Sequence, residues 1–92
     1  MDAGALWENL MLSERIKRNA YHHSYAKIYF WRTQAQSEID FVELEDGMMQ
    51  AYEFKFNPKK MPRAPKAFRD TYPHAAFQVI TTDNYTSFVG ID

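Results

Sequence analysis

Two short acid-bearing segments flank the dipeptide Asp46-Gly47: residues 37–44 read SEIDFVEL and residues 48–56 read MMQAYEFKF. Asp-Gly between two runs of β-forming residues signals a two-residue hairpin loop of type I′. If Asp46 and Gly47 form that loop, Asp40 faces Glu53 and Glu38 faces Lys55, and alternation by two puts all four on one face of the sheet. Directly opposed β-carbons lie about 4.5–5.5 Å apart, close enough for two carboxylates to share one ion. Opposed like charges destabilise a ladder, and a shared site raises one carboxyl pKa. A divalent cation, helped by the Lys55 ammonium, removes the repulsion. An all-oxygen donor set favours Mg²⁺, Mn²⁺ or Ca²⁺ over zinc. The competing reading is an exposed charged hairpin end, with Glu38–Lys55 a surface ion pair of small energetic weight.

Charge is unevenly distributed although its net value is −1. Lys55, Lys59, Lys60, Arg63, Lys66 and Arg69 follow one another with no acid among them, while Glu38, Asp40, Glu43, Glu45, Asp46 and Glu53 precede that run. Such a split can hold a cation in one place and a polyanion beside it; alternatively the basic residues are a solvated loop and helix surface. Arg32 can touch phosphate or pair with an acid. His22-His23 lack a carboxylate at ligand spacing and read as surface residues, and His74 reads as a helix-exit residue. Tyr29, Trp31, Phe54 and Phe56 can stack bases, but core packing is the stronger reading. No Ser–His–Asp or cysteine nucleophile set occurs.

These groups need elements to position them. Residues 3–18 lack proline, hold good helix formers and read as a helix. The apolar positions Ala5, Leu6, Trp7, Leu10, Met11, Leu12 and Ile16 cover most of its circumference, which predicts burial nearly all round. Strands are expected at 27–33, 37–44, 48–56 and 76–82, with 85–89 a further short one, and a second helix at about 64–71. On strict alternation Val42, Leu44, Met49 and Ala51 share the face of the carboxylates, and Ile39, Phe41, Tyr52, Phe54 and Phe56 take the other. A sheet apolar on both sides is a layered one. The expected fold class is therefore α/β, an α-β-β-β-α-β mixed sheet flanked by helices.

Ninety-two residues suit one domain with one modest core. Hydrophobic content of 46% against 25% charged is a globular balance. The absence of cysteine excludes disulfides and thiolate metal sites and fits a reducing cytoplasm. No apolar run approaches about 18 residues, and no leader precedes a cleavage site, so a soluble cytoplasmic protein is expected.

At Asp40 and Glu53-Phe54-Lys55 the chain resembles the PD-(D/E)XK nuclease superfamily. More narrowly it resembles the uncharacterised domain found C-terminal to an AAA+ ATPase module in bacterial and archaeal proteins. That resemblance spans nearly all 92 residues and rests on Gly4-x-x-x-Glu8-Asn9, Phe30-Trp31-Arg32-Thr33, Glu38-Ile39-Asp40-Phe41-Val42 and Glu53-x-Lys55. It implies a restriction-endonuclease-like fold, Asp40 and Glu53 as metal ligands, Lys55 as the catalytic lysine, and Glu8 as the helix-borne acid completing the site. The implied cofactor is Mg²⁺ (or Mn²⁺). Glu8 falls inside the apolar arc of its helix, where a metal, or an ion pair with Arg15, would compensate its burial.

In such a site the cation polarises a scissile phosphate, Lys55 assists water or meets developing charge, and Lys59, Lys60, Arg63, Lys66, Arg69 and Arg32 contact the DNA backbone. No Gly-x-x-x-x-Gly-Lys-Ser/Thr occurs, so the ATPase half is absent from this sequence. Met1 directly before the helix suggests a fragment of a longer chain. A Mg²⁺-dependent nuclease-like domain is the leading expectation; a non-catalytic DNA-docking or interaction domain of an AAA+ ATPase is the alternative.

Overall fold

The computed structural model describes residues 2–35 and 37–91. Met1, on which the reading of a fragment start falls, lies outside them. The elements are α1 (Ala3–Tyr21), β1 (Lys27–Arg32), β2 (Glu38–Glu45), β3 (Met48–Phe54), α2 (Lys66–Thr71), β4 (Ala76–Ile80) and α3 (Tyr85–Val89). The four strands form one sheet in the order β1-β2-β3-β4, with β1/β2 and β2/β3 antiparallel. This is the expected α/β class, a mixed sheet with helices. None of the described helices is long and apolar enough to cross a membrane.

The chain groups into two compact units. The first comprises Met1–Tyr25, Phe54–Met61 and Val79–Asp92. Helix α1 starts where the Asp2 carboxylate accepts the Ala5 amide at 2.7 Å, an N-cap that satisfies one otherwise unpaired helix donor. Its buried residues are Trp7, Met11, Arg15 and Asn19, one line at i, i+4 spacing. Burial all round is therefore corrected: Leu6, Leu10 and Ile16 are 55%, 48% and 52% exposed. Apolar residues on the wheel outnumber those this unit covers.

The Trp7 indole N–H donates to the Ile80 carbonyl at 3.2 Å, and its ring meets Tyr85 and Phe56 edge-on at 5.3 and 5.9 Å. Two turns further along the buried line, Arg15 donates through Nη1 to the Phe88 carbonyl at 2.9 Å and lies 4.6 Å over the Phe88 ring. A guanidinium inside the line is tolerable because it is both hydrogen-bonded and stacked.

Residues 85–89 are helix α3 and not a strand. Local hydrogen bonds decide this against composition. The Asn84 side chain accepts from the Thr81 amide and donates to the Val79 carbonyl, both at 2.8 Å, while Thr81 Oγ1 accepts from the Asp83 amide at 3.1 Å. These bonds turn the chain after β4. Gly90 ends α3 at φ 82°, and a β-carbon there would lie 2.9 Å from Arg18 Cγ. Gly90→Ala is expected to lower stability by about 1–2 kcal/mol, combining a left-handed backbone with that close approach. Urea denaturation checks it; an unchanged midpoint would mean the backbone relaxes freely.

The second unit comprises Ala26–Glu53 and Pro62–Gln78. Asp46 (φ 54°) and Gly47 (φ 76°) both take positive φ, as a type I′ loop requires. The β2/β3 register runs Glu45↔Met48, Leu44↔Met49, Glu43↔Gln50, Val42↔Ala51 and Phe41↔Tyr52, as the loop chemistry predicts. The β1/β2 register is less regular. Tyr29 faces Val42 but Trp31 faces Ile39, so Phe30 alone stands against both Asp40 and Phe41. That two-against-one count is a β-bulge in β2.

The bulge corrects the strict alternation of faces. Ile39 and Val42, three apart, join one buried cluster with Ala51, Ala64 and Phe68. Trp31 packs at its border, edge-on to Phe68 at 5.3 Å. Helix α2 delivers Phe68 after Pro62 and Pro65 have kept the chain extended; Pro65 is its N-cap residue.

Candidate metal and nucleic-acid site

The expected pairing of Asp40 with Glu53 lies just beyond the observed β2/β3 register, which ends at Phe41 and Tyr52. One residue past the paired Phe41 and Tyr52 come Asp40 on β2 and Glu53 on β3, and both are half-buried. Asp40 also belongs to the bulge, the kind of distortion that re-aims a side chain and bends the strand carrying it. Among the described residues no three His, Cys, Asp or Glu side chains gather into a group that could hold a metal ion. Two carboxylates still suit Mg²⁺, which commonly takes one or two protein carboxylates and fills its octahedron with water and phosphate oxygens. The donor chemistry therefore fits the cation.

Glu38 is committed elsewhere. Facing Arg32 across the β1/β2 ladder, it accepts from Arg32 Nε at 3.3 Å, with both side chains largely exposed. Of the two roles open to Arg32, pairing with an acid is the one observed.

Glu8 and Lys55 belong to the first unit and are both half-buried. Their segments meet at one atom: the Ile80 carbonyl accepts the Trp7 indole N–H at 3.2 Å and the Lys55 amide at 3.0 Å. The residue preceding Glu8 and the backbone of Lys55 are thus fixed to the same point of β4. Neither spacing nor periodicity reveals this link, because Trp7 and Ile80 are far apart in sequence; the only signal was a tryptophan beside the helix-borne acid.

The basic run is partly engaged. Lys66 pairs with Asp70 at 2.7 Å one turn along α2, and Arg69 Nε donates to the Ala64 carbonyl at 3.1 Å. The Lys66 ammonium, by hydrogen bond and by charge, lowers the Asp70 carboxyl below its ordinary value. Lys59, Lys60 and Arg63 are exposed. Asn57 folds the segment holding the first two, accepting from the Lys59 amide through Oδ1 at 2.9 Å and from the Lys60 amide through its carbonyl at 3.1 Å.

His22 and His23 are exposed, as expected for surface residues, and His74, read as a helix-exit residue, is exposed three residues after α2 ends. The aromatic stripe divides. Phe54 is buried edge-on to Phe88 at 5.5 Å and Trp31 packs on Phe68, whereas Tyr29 and Phe56 are 44% and 49% exposed.

A family described as a domain of unknown function, DUF4143, matches residues 3–91. The chain belongs to the DUF4143 family. The match covers nearly the whole sequence, so the expectation of an uncharacterised domain family is met at that level. No curated protein and no solved structure matches this DUF4143 chain.

Proposed function

We propose that this DUF4143 domain is a Mg²⁺-dependent, nuclease-like module that acts on DNA phosphodiesters in a protein that also carries an AAA+ ATPase. What supports the reading is the resemblance at Asp40 and Glu53-x-Lys55 together with two half-buried carboxylates, each one residue beyond the last β2/β3 pair; the bulge at Asp40 interrupts the alternation that would set both on one face. Asp40 and Glu53 are the cation's protein ligands, and it is the family resemblance alone that assigns Glu8 as a further acid. When bound, the cation supplies Lewis-acid polarisation of the scissile phosphate. Lys55, two residues beyond Glu53 in the chain, presents an ammonium to negative charge that grows on the phosphoryl oxygens in the transition state. Lys59, Lys60 and Arg63 hold the DNA backbone by charge, which gives affinity without sequence preference.

The test is thermal denaturation with and without 10 mM Mg²⁺ or Mn²⁺ (about ten times a millimolar dissociation constant). Mass action then stabilises the wild type by about 1.4 kcal/mol. Asp40→Ala should lose that increment, and equal shifts in both proteins would reject the assignment.

Backbone binding makes its own prediction. Duplex DNA should bind with an affinity whose logarithm falls against log salt with slope of about −0.9 per phosphate contact. Replacing Lys59, Lys60 and Arg63 by glutamate should weaken binding at low salt at least roughly tenfold and flatten that slope. Fluorescence anisotropy with a labelled duplex reads both, and unchanged affinity would remove the segment from the interface.

The second reading is a non-catalytic DNA-docking or protein-interaction domain. It is favoured by the lack, among the described residues, of a three-donor metal group. Cation binding with no cleavage of any substrate would select it.

A further inference from the structure

We propose that the outer edge of β1 takes up an extended peptide strand carrying an acidic residue at each end of a four-residue apolar centre. This surface goes beyond the cation site and involves none of its residues. β1 is the terminal strand of the sheet, paired with β2 along one edge. Among the described residues no strand lies along the other. A row of backbone N–H and C=O groups at strand spacing is complemented by another peptide backbone, which alone supplies alternating acceptors and donors at that repeat.

The side chains sharpen this. Protected sheet edges carry lysine, proline or other charge within the strand. β1 reads KIYFWR, with four large apolar residues in the middle and charge only at its ends. Ile28, Tyr29 and Phe30 are 45%, 44% and 73% exposed. Beside the strand lies a cavity of about 360 Å³ whose lining includes Tyr29, Trp31, Leu44, Met49, Phe68 and Tyr72. Alternate side chains of an added strand point to one face, so the cavity takes apolar side chains at every second position of the incomer.

Charge selects among occupants. Lys27 and Arg32 close the two ends of β1, both exposed. Arg32 engages Glu38 through Nε, and a guanidinium has five N–H donors, so a second carboxylate can bind the same group. A second copy of this chain is disfavoured. Antiparallel pairing of β1 with itself sets Lys27 against Arg32 at both ends, and parallel in-register pairing sets each cation against its own copy; opposed like charges destabilise a ladder. A strand with acidic ends meets a cation at each end instead. Nucleic acid could stack on Tyr29 and Phe30 but cannot complete the backbone ladder.

The experiment uses the 92-residue chain and the labelled peptide Ser-Glu-Ile-Val-Val-Tyr-Asp-Ser, compared with the same peptide bearing lysine for glutamate and aspartate. Anisotropy measures affinity and amide hydrogen exchange locates the contact. The acidic peptide should slow exchange in β1 and bind about tenfold or more tighter than the basic one. Lys27→Glu, a substitution at an exposed position, should narrow or reverse that preference. Any one of three results would overturn the proposal: equal binding of the two peptides, no protection in β1, or protection of β1 by an oligonucleotide or by self-association in place of the peptide.

Discussion

Lys55→Ala should reduce DNA cleavage by at least about a hundredfold, the scale expected when one preorganised donor to transition-state charge is removed. Its fold and most of its cation binding should remain. In the proposed site cation affinity rests on Asp40 and Glu53, and the Lys55 backbone bond to Ile80, through the amide, is available to any residue except proline. A group that meets charge developing only in the transition state affects rate more than binding. Asp40→Ala should differ by losing cation-dependent stabilisation together with cleavage. The assay is Mn²⁺-dependent turnover of branched and linear duplexes. Undiminished cleavage by Lys55→Ala would place the chemistry elsewhere.

Trp7→Ala should cost about 3–5 kcal/mol, the range for removing a buried Trp or Phe side chain. Trp7 is 8% exposed, touches two aromatic rings and donates to Ile80, so truncation opens a cavity and deletes a hydrogen bond together. Trp7→Phe keeps a ring and loses the bond, and should cost less. The Ile80 carbonyl keeps the Lys55 amide as donor in both variants. Leu6→Ala, one position away but 55% exposed, should stay within about 0.5–1 kcal/mol. Urea denaturation of the three variants checks the order. Equal losses at Leu6 and Trp7 would mean that α1 is covered all round, as hydropathy alone suggests.

What could be read from residues alone followed the range over which each feature is determined. The hairpin was legible because Asp46-Gly47 forces both positive φ values locally, and the loop then fixes every facing pair up to Phe41 and Tyr52. The bulge was not, because it arises in pairing between β1 and β2 across a longer connection, and nothing in SEIDFVEL marks where the extra residue falls. That is why Ile39 joins Val42 against the alternation rule. Helix α3 escaped a propensity reading because side chains of Thr81 and Asn84 decide the local path. In α1 the buried line includes Arg15 and omits Leu6 and Leu10, since burial depends on what unit one packs against it. For the site, the turn predicts Asp40 opposite Glu53 while the observed pairing ends one residue earlier, at Phe41 and Tyr52, and the meeting of Trp7 and Lys55 at Ile80 is a tertiary contact with no local signature.

If Asp40 and Glu53 share one divalent cation, manganese bound there should be visible. Crystals of this domain soaked in Mn²⁺, with anomalous diffraction collected near the manganese edge, test it most directly. An anomalous peak is expected with oxygens of both carboxylates about 2.1–2.3 Å away and the remaining positions filled by water. A peak ligated by neither carboxylate, or a cation-free map at saturating Mn²⁺ with the two side chains satisfied by protein groups, would contradict it.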